Sequence, residues 1–123
     1  MGQKQILVID DDPGFRLLLQ KLLESAGYLV NAADEGQAGI ESAWSTRPDL
    51  VISDMDMPIN DGYKTIRMFR GDPSLRVPLI IVSGAVDIRD AQRVLDAGAD
   101  AFFQKPVNQP ALLAKVAELL AAG

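Results

Sequence analysis

Five short apolar segments alternate along this chain with stretches that have the periodicity of amphipathic helices. The predicted strands are the apolar segments Gln5–Ile9, Tyr28–Ala33, Leu50–Ser53, Pro78–Val82 and Ala101–Gln104. The first predicted helix begins after Asp12, a residue type that caps helices, and has Pro13 at its first position. Because apolar strands that alternate with helices favour right-handed crossovers, the pattern predicts an α/β fold with a five-stranded parallel sheet covered on both faces.

Length and charge narrow the class of protein. The 123 residues are enough for one domain with a buried core, and they contain no repeat, so we expect a single domain over residues 1–123. No apolar run is long enough to span a membrane, and the N-terminus lacks the layout of a signal peptide, so we expect a cytoplasmic protein. The net charge of -5 argues against a nucleic-acid-binding surface on this domain.

Two residue types that commonly carry chemistry are absent. The count of Cys is 0, which excludes disulfides, a thiolate zinc site and a thiol nucleophile. The count of His is also 0, which removes the commonest general base and the commonest ligand of transition metals. Chemistry in this chain must therefore depend on carboxylates, hydroxyls, lysine and a hard metal ion.

Acidic residues cluster where two of the predicted strands end. Asp10, Asp11 and Asp12 follow the first strand, and Asp54 and Asp56 follow the third. Carboxylates repel one another and resist desolvation, so two apolar segments that end in clustered acids imply a counter-charge from outside the chain. A divalent cation that prefers oxygen ligands, such as Mg²⁺, meets that need.

Two further polar residues end strands that should lie beside the acidic ones. Ser83 follows the fourth predicted strand, and Lys105 follows the fifth. In a parallel sheet, the carboxyl ends of the strands share one edge, where ligands bind. A lysine and a hydroxyl could each contact a phosphoryl oxygen there, and a carboxylate such as that of Asp54 could act as the nucleophile and form an acyl phosphate.

These segments resemble receiver domains of two-component signalling, the CheY-like domains of response regulators. The resemblance covers nearly the whole chain and rests on four segments, namely Ile6–Pro13, Pro48–Pro58 followed by Asp61-Gly62, Pro78–Gly84, and Lys105-Pro106. It implies the flavodoxin-like (βα)5 fold with strand order 2-1-3-4-5. It also implies a signalling phosphoacceptor rather than an enzyme with a separate substrate.

The resemblance assigns roles to the acidic residues. Asp54 is expected to be the phosphorylated aspartate. Asp10 and Asp11 are expected to hold Mg²⁺ together with Asp54, Asp11 directly and Asp10 through water. The backbone carbonyl of Asp56 is the further metal ligand that the family implies. Phosphorylation is then Mg²⁺-dependent and reversible.

The resemblance also assigns the phosphoryl-binding and switch residues. Ser83 is expected to hydrogen-bond the phosphoryl group, and Lys105 to pair with it. The family often has the peptide bond between Lys105 and Pro106 in cis. Phe102 occupies the aromatic switch position of the family, although a phenylalanine in a fifth strand is also an ordinary core residue. Both interpretations of Phe102 stay open at this point.

The resemblance implies partners as well. The phosphoryl donor of the family is a phosphohistidine on a sensor histidine kinase or a histidine phosphotransfer protein, and a chain without histidine must meet that donor in trans. A downstream protein is expected to bind the surface formed by the fourth helix, the fifth strand and the fifth helix. No direct contact with nucleic acid or membrane is expected.

Two residues depart from the family pattern, Asp56 and Gly84. Asp56 places a second side-chain carboxylate near the expected phosphoryl group, and we expect it to slow phosphorylation or hydrolysis by like-charge repulsion. Gly84 stands where the family usually has alanine.

Three other classes of protein remain as alternatives. They are a haloacid-dehalogenase-type phosphatase built on Asp54 and Asp56, a flavin-binding flavodoxin, and a receiver-like scaffold that works without phosphorylation.

Overall fold

The alternation of strands and helices predicted from the sequence is confirmed. The computed structural model describes residues 2–56, 62–84 and 88–122, and the side chains of 88–90 are outside this description. The strands are β1 (Gln5–Ile9), β2 (Leu29–Ala33), β3 (Leu50–Asp54), β4 (Leu79–Ser83) and β5 (Ala101–Gln104). The α-helices are α1 (Pro13–Ser25), α2 (Gly36–Thr46), α3 (Gly62–Arg70), α4 (Ile88–Asp96) and α5 (Gln109–Ala122), and a short 3₁₀ helix covers Pro73–Leu75.

The strands form one parallel sheet in the order β2-β1-β3-β4-β5, as the resemblance implied. Ile9 lies opposite Ser53 in the β1–β3 pair, and Asp54 lies opposite Val82 in the β3–β4 pair. The sheet is therefore of the doubly wound, flavodoxin-like type, in which strand order reverses between β1 and β3. The carboxyl ends of β1, β3, β4 and β5 lie side by side at one edge.

The core lies on both faces of this sheet. In β1, Leu7 and Ile9 pack in a layer with residues of α2, α3 and α4, whereas Ile6 and Val8 pack in a second layer with residues of α1 and α5. Alternate residues of a strand point to opposite faces, so each strand supplies both layers. In β1, β3 and β4 the polar residues lie at the strand ends: Gln5 begins β1, Ser53 and Asp54 end β3, and Ser83 ends β4.

The main differences from the predicted boundaries fall at the functional edge. β3 extends to Asp54 and β4 to Ser83, one residue farther than predicted, because parallel pairing continues through Asp54 with Val82 and through Ser83 with Gln104. The predicted cap is confirmed, since the Asp12 carboxylate accepts a hydrogen bond from the backbone N–H of Gly14 at 3.0 Å. Pairing within the sheet fixes the direction of the Asp54 and Ser83 side chains.

Part of one sequence segment lies outside the described residues. Of the segment that resembles the phosphoacceptor region of receiver domains, this applies to Met57, Pro58 and Asp61. Within the described residues, no helix combines the length and apolar character that a membrane crossing requires.

Candidate functional site

Two buried carboxylates meet at the carboxyl ends of neighbouring strands. Asp10 directly follows β1 and Asp54 is the last residue of β3; their exposures are only 1% and 3%. One carboxylate oxygen of Asp10, Oδ1, accepts a hydrogen bond from the backbone N–H of Asp12 at 2.9 Å. Pairing of β1 with β3 thus places two acids in an environment where charge is costly.

Lys105 supplies the positive charge that faces both acids. Its Nζ lies 3.1 Å from Asp10 Oδ2 and 3.3 Å from Asp54 Oδ1. Nζ also lies 4.3 Å from the centroid of the Phe15 ring, a cation–π contact. The backbone N–H of Lys105 donates to the carbonyl of Ser83 at 2.8 Å, and its peptide bond to Pro106 is cis. The backbone bond to Ser83 holds Lys105 at the end of β5, where its side chain faces the two acids.

The pKa values reflect one cation shared between two buried acids. Burial raises the pKa of Asp54 and the charge of Asp10 raises it further, while the charge of Lys105 lowers it without restoring the ordinary value. Burial lowers the pKa of Lys105, but the charges of Asp10 and Asp54 outweigh this and leave the pKa of Lys105 raised. Lys105 thus stays protonated, and the site still lacks positive charge.

The residues present fit a hard divalent cation. Asp10, Asp11 and Asp54 each offer a carboxylate oxygen, and these oxygens lie within 4.8 Å of one another. Asp54 Oδ1 is buried and, beyond its ion pair with Lys105, accepts no hydrogen bond from the described residues. Carboxylate oxygens in this arrangement suit Mg²⁺, which prefers oxygen ligands and retains several waters.

Asp56 is placed differently from the other acids. Its side chain turns to the end of β4, where Oδ2 accepts hydrogen bonds from Ser83 Oγ at 2.8 Å and from the backbone N–H of Gly84 at 3.2 Å. The carboxylate of Asp56 is therefore not a member of the cluster formed by Asp10, Asp11 and Asp54. The expected metal contact through its backbone carbonyl stays a prediction.

Phe102 lies on β5, at the position expected for the switch residue. Phe102 is partly buried and packs against the layer of α2, α3 and α4, so its switch role stays a prediction.

Two contacts of the site were not predicted from the sequence. Phe15 lies beside Lys105, and Arg16 donates to the carbonyl of Asp10 at 2.8 Å. Their place in the first turn of α1, directly after the acids, was the available signal.

Comparison with known proteins decides the family. The model of the response regulator receiver domain matches residues 6–117. This chain belongs to that family. Among solved structures, it resembles the receiver domain of a signal transduction histidine kinase from Syntrophus aciditrophicus, with a TM-score of 0.88 and 38% identity, over 97% of this chain and 91% of that one. A response regulator from Chloroflexus aurantiacus has a TM-score of 0.91 at 28% identity, covering 97% and 98% of the two chains.

Curated relatives of this receiver domain are longer proteins. RpaA of Synechocystis sp., described as a DNA-binding dual master transcriptional regulator, is 35% identical over 94% of this chain and 48% of its own length. Response regulator MprA of Mycobacterium tuberculosis is 34% identical over 94% of this chain and 50% of its own. The receiver chain thus spans about half the length of the curated relatives it matches.

Membership in this family bears on the rival classes. A two-component receiver domain accounts for the acidic pocket of Asp10, Asp11 and Asp54, whose composition fits phosphorylation and a Mg²⁺ site. The family match favours the receiver interpretation over the phosphatase and flavodoxin interpretations. The receiver domain is accordingly a signalling module of two-component systems.

Proposed function

We propose that this receiver domain accepts a phosphoryl group on Asp54 from a phosphohistidine of a sensor histidine kinase or a histidine phosphotransfer protein. The observation that carries the proposal is the state of the Asp54 carboxylate. It is buried at the edge of the sheet, it faces Lys105 at 3.3 Å, and its Oδ1 accepts no hydrogen bond from the described residues. A carboxylate oxygen held in this way is available as a nucleophile.

The proposed transfer is a nucleophilic displacement at phosphorus. A carboxylate oxygen of Asp54 forms a bond to phosphorus while the P–N bond to the donor imidazole breaks, and the electron pair of that bond returns to the imidazole nitrogen. Hydrolysis later reverses the modification, when water attacks phosphorus and releases inorganic phosphate and the Asp54 carboxylate. The contribution of the protein is positioning and charge neutralisation.

The chain's own residues divide this task. Lys105 neutralises charge on the phosphoryl oxygens, since its Nζ is already held between Asp10 and Asp54. Asp10, Asp11 and Asp54, with the backbone carbonyl of Asp56, would hold Mg²⁺. When bound, the ion would supply the positive charge that the site lacks. The donor histidine must come from a partner, because the count of His in this chain is 0.

The proposed output is a shift between conformations. A phosphoryl group on Asp54 is bound by Ser83 and Lys105 in one arrangement of their loops, so phosphorylation favours that arrangement. We propose that the surface of α4, β5 and α5 then binds a downstream protein, with Phe102 on β5 as the switch side chain. In this proposal, the domain changes its own state and turns over no separate substrate.

We also propose that residues 1–123 form one receiver domain and that it lies in the cytoplasm, which suits a chain without cysteine. It assigns this domain no direct contact with nucleic acid or membrane, in line with its net charge of -5. DNA binding, as described for RpaA, is a property of that longer protein.

Intact-mass spectrometry after incubation with Mg²⁺ and acetyl phosphate tests the proposal. Wild type should gain the mass of one phosphoryl group, the gain should disappear with a chelator, and Asp54→Asn should show none. The matched control is Asp34→Asn, which removes an exposed carboxylate just after β2 and should be phosphorylated like wild type. Absence of the gain in wild type, together with absence of Mg²⁺ binding, would instead support a scaffold that works without phosphorylation.

A further inference from the structure

The Asp56 carboxylate makes a bridge from the end of β3 to the end of β4. Its Oδ2 accepts from Ser83 Oγ at 2.8 Å and from the Gly84 backbone N–H at 3.2 Å. Ser83 is buried, with 2% exposure, whereas Asp56 is exposed. An exposed, ionised side chain thus holds a buried hydroxyl and a loop amide, and the two contacts are charge-assisted on the acceptor side.

The two donors lie where a phosphoryl group on Asp54 would need them. Asp54 lies opposite Val82 in the β3–β4 pair, and Ser83 and Gly84 are the next two residues along β4 and its loop. A serine hydroxyl has one proton to donate, and so does a backbone amide. Each proton that is directed to Asp56 is therefore withheld from a phosphoryl oxygen.

We propose that Asp56 is a resting-state latch that competes with the phosphoryl group on Asp54 for the hydroxyl of Ser83 and the amide of Gly84. The latch rests on the proposed phosphorylation of Asp54 and deepens it. Phosphorylation must break both contacts before the Ser83 hydroxyl and the Gly84 amide can donate to the phosphoryl group. Asp56 thereby acts as a positioning residue. Part of the binding free energy of the phosphoryl group is used to release Ser83 and Gly84 from Asp56.

The latch makes a prediction that differs from like-charge repulsion. Repulsion between Asp56 and a phosphoryl group depends on charge and distance alone, so it is the same whether or not residue 83 carries a hydroxyl. Competition for a donor requires that donor. The effect of removing the Asp56 carboxylate must therefore depend on Ser83, and a double-mutant cycle detects this dependence.

The test measures the affinity for beryllium trifluoride, a phosphoryl mimic, at fixed Mg²⁺ by isothermal titration calorimetry. The proteins are wild type, Asp56→Ala, Ser83→Ala and the double variant. Asp56→Ala should bind about tenfold more tightly than wild type, as expected for release of charge-assisted hydrogen bonds. In the Ser83→Ala background, the same change should gain less than about threefold, because only the Gly84 amide is released. Equal gains in both backgrounds would overturn the latch.

A second readout uses the unmodified protein. The amide proton of Gly84 in a ¹H–¹⁵N NMR spectrum should move upfield in Asp56→Ala, because its charged acceptor is lost, and an unchanged shift would overturn the latch. Asp34→Ala removes one exposed negative charge just after β2 and is the control. It should leave both the Gly84 shift and the affinity at wild-type values. If Asp56→Ala does not fold, Asp56→Asn removes the charge but keeps a neutral amide oxygen as acceptor, so the same changes are expected at smaller size.

The two proposals fail in different ways. If none of the proteins binds beryllium trifluoride, the proposed function is overturned, and the competition with it. If wild type and Asp56→Ala bind with equal affinity, the latch alone is overturned and phosphorylation of Asp54 stands. A tenfold gain that depends on Ser83 supports both.

Discussion

At the scale of single residues, the buried state of Asp54 suits its proposed role as phosphoacceptor but lowers the stability of the folded domain. Burial and the charge of Asp10 raise the pKa of Asp54 above its ordinary value. The folded protein then binds this proton more tightly than the unfolded chain, so stability falls as pH rises through the raised pKa. Ionisation of Asp54 therefore lowers the stability of the folded domain when no metal is bound.

This cost predicts that Asp54→Asn stabilises the metal-free domain. At pH 7, in the presence of a chelator, the variant should have a higher free energy of unfolding and a higher melting temperature than wild type. The difference should shrink as the pH falls and vanish only below about pH 3, where Asp54 is protonated in both the folded and the unfolded chain. Thermal unfolding followed by circular dichroism at several pH values measures it. A variant that melts below wild type at pH 7 would contradict the argument.

Magnesium provides the control for this prediction. An ion that binds only the folded state raises stability by mass action. Since Asp54 is one of the proposed ligands, Mg²⁺ should raise the melting temperature of wild type more than that of Asp54→Asn. Equal increases in the two proteins would show that Asp54 does not take part in binding the ion.

At the scale of elements, the first residue of α3, Gly62, packs against Met55, the residue that follows Asp54. The backbone N–H of Gly62 donates to the carbonyl of Met55 at 3.0 Å. A Cβ at Gly62 would lie 2.7 Å from Met55 Cα and would also overlap the Met55 sulfur. The atom in the way belongs to the backbone, so a side chain at position 62 forces α3 away from the end of β3.

Gly62→Ala should therefore destabilise the domain by about 1–3 kcal/mol, the range for forced overpacking. Urea unfolding of wild type and variant measures the change. The matched control is Gly14→Ala in the first turn of α1, where the added Cβ meets only Asp12 Oδ1, at 3.4 Å. That control should be neutral or slightly stabilising, because alanine is the better helix former. Equal losses in both variants would refute the role of the Met55 contact.

The elements also show why sequence reasoning reached most of the site. The strands are apolar runs in a parallel sheet, so residues at their carboxyl ends had to meet, and Asp10, Asp54 and Lys105 do so. Directions of side chains outside the paired strands depend on loop backbone and rotamers. For this reason, the turn of Asp56 toward Ser83 was not predicted.

At the scale of the whole molecule, every strand ties two core layers together. The layer under α2, α3 and α4 includes Ile66, and the opposite layer under α1 and α5 includes Leu23; both side chains are fully buried. Neither layer can lose its helices without exposing an apolar face of strands whose opposite face holds the other layer. The two layers are therefore expected to unfold as one cooperative unit.

Leu23→Ala and Ile66→Val test this cooperativity from opposite faces of the sheet. The first should cost about 3 kcal/mol and the second about 1 kcal/mol. Since the two residues lie in different core layers, the loss of unfolding free energy in the double variant should equal the sum of the two single losses to within about 0.5 kcal/mol. Fluorescence of Trp44 reports from α2, so its urea midpoint in Leu23→Ala should shift together with that of circular dichroism, although the mutation is on the far face. A Trp44 transition that stays at the wild-type midpoint would show that the two layers unfold separately.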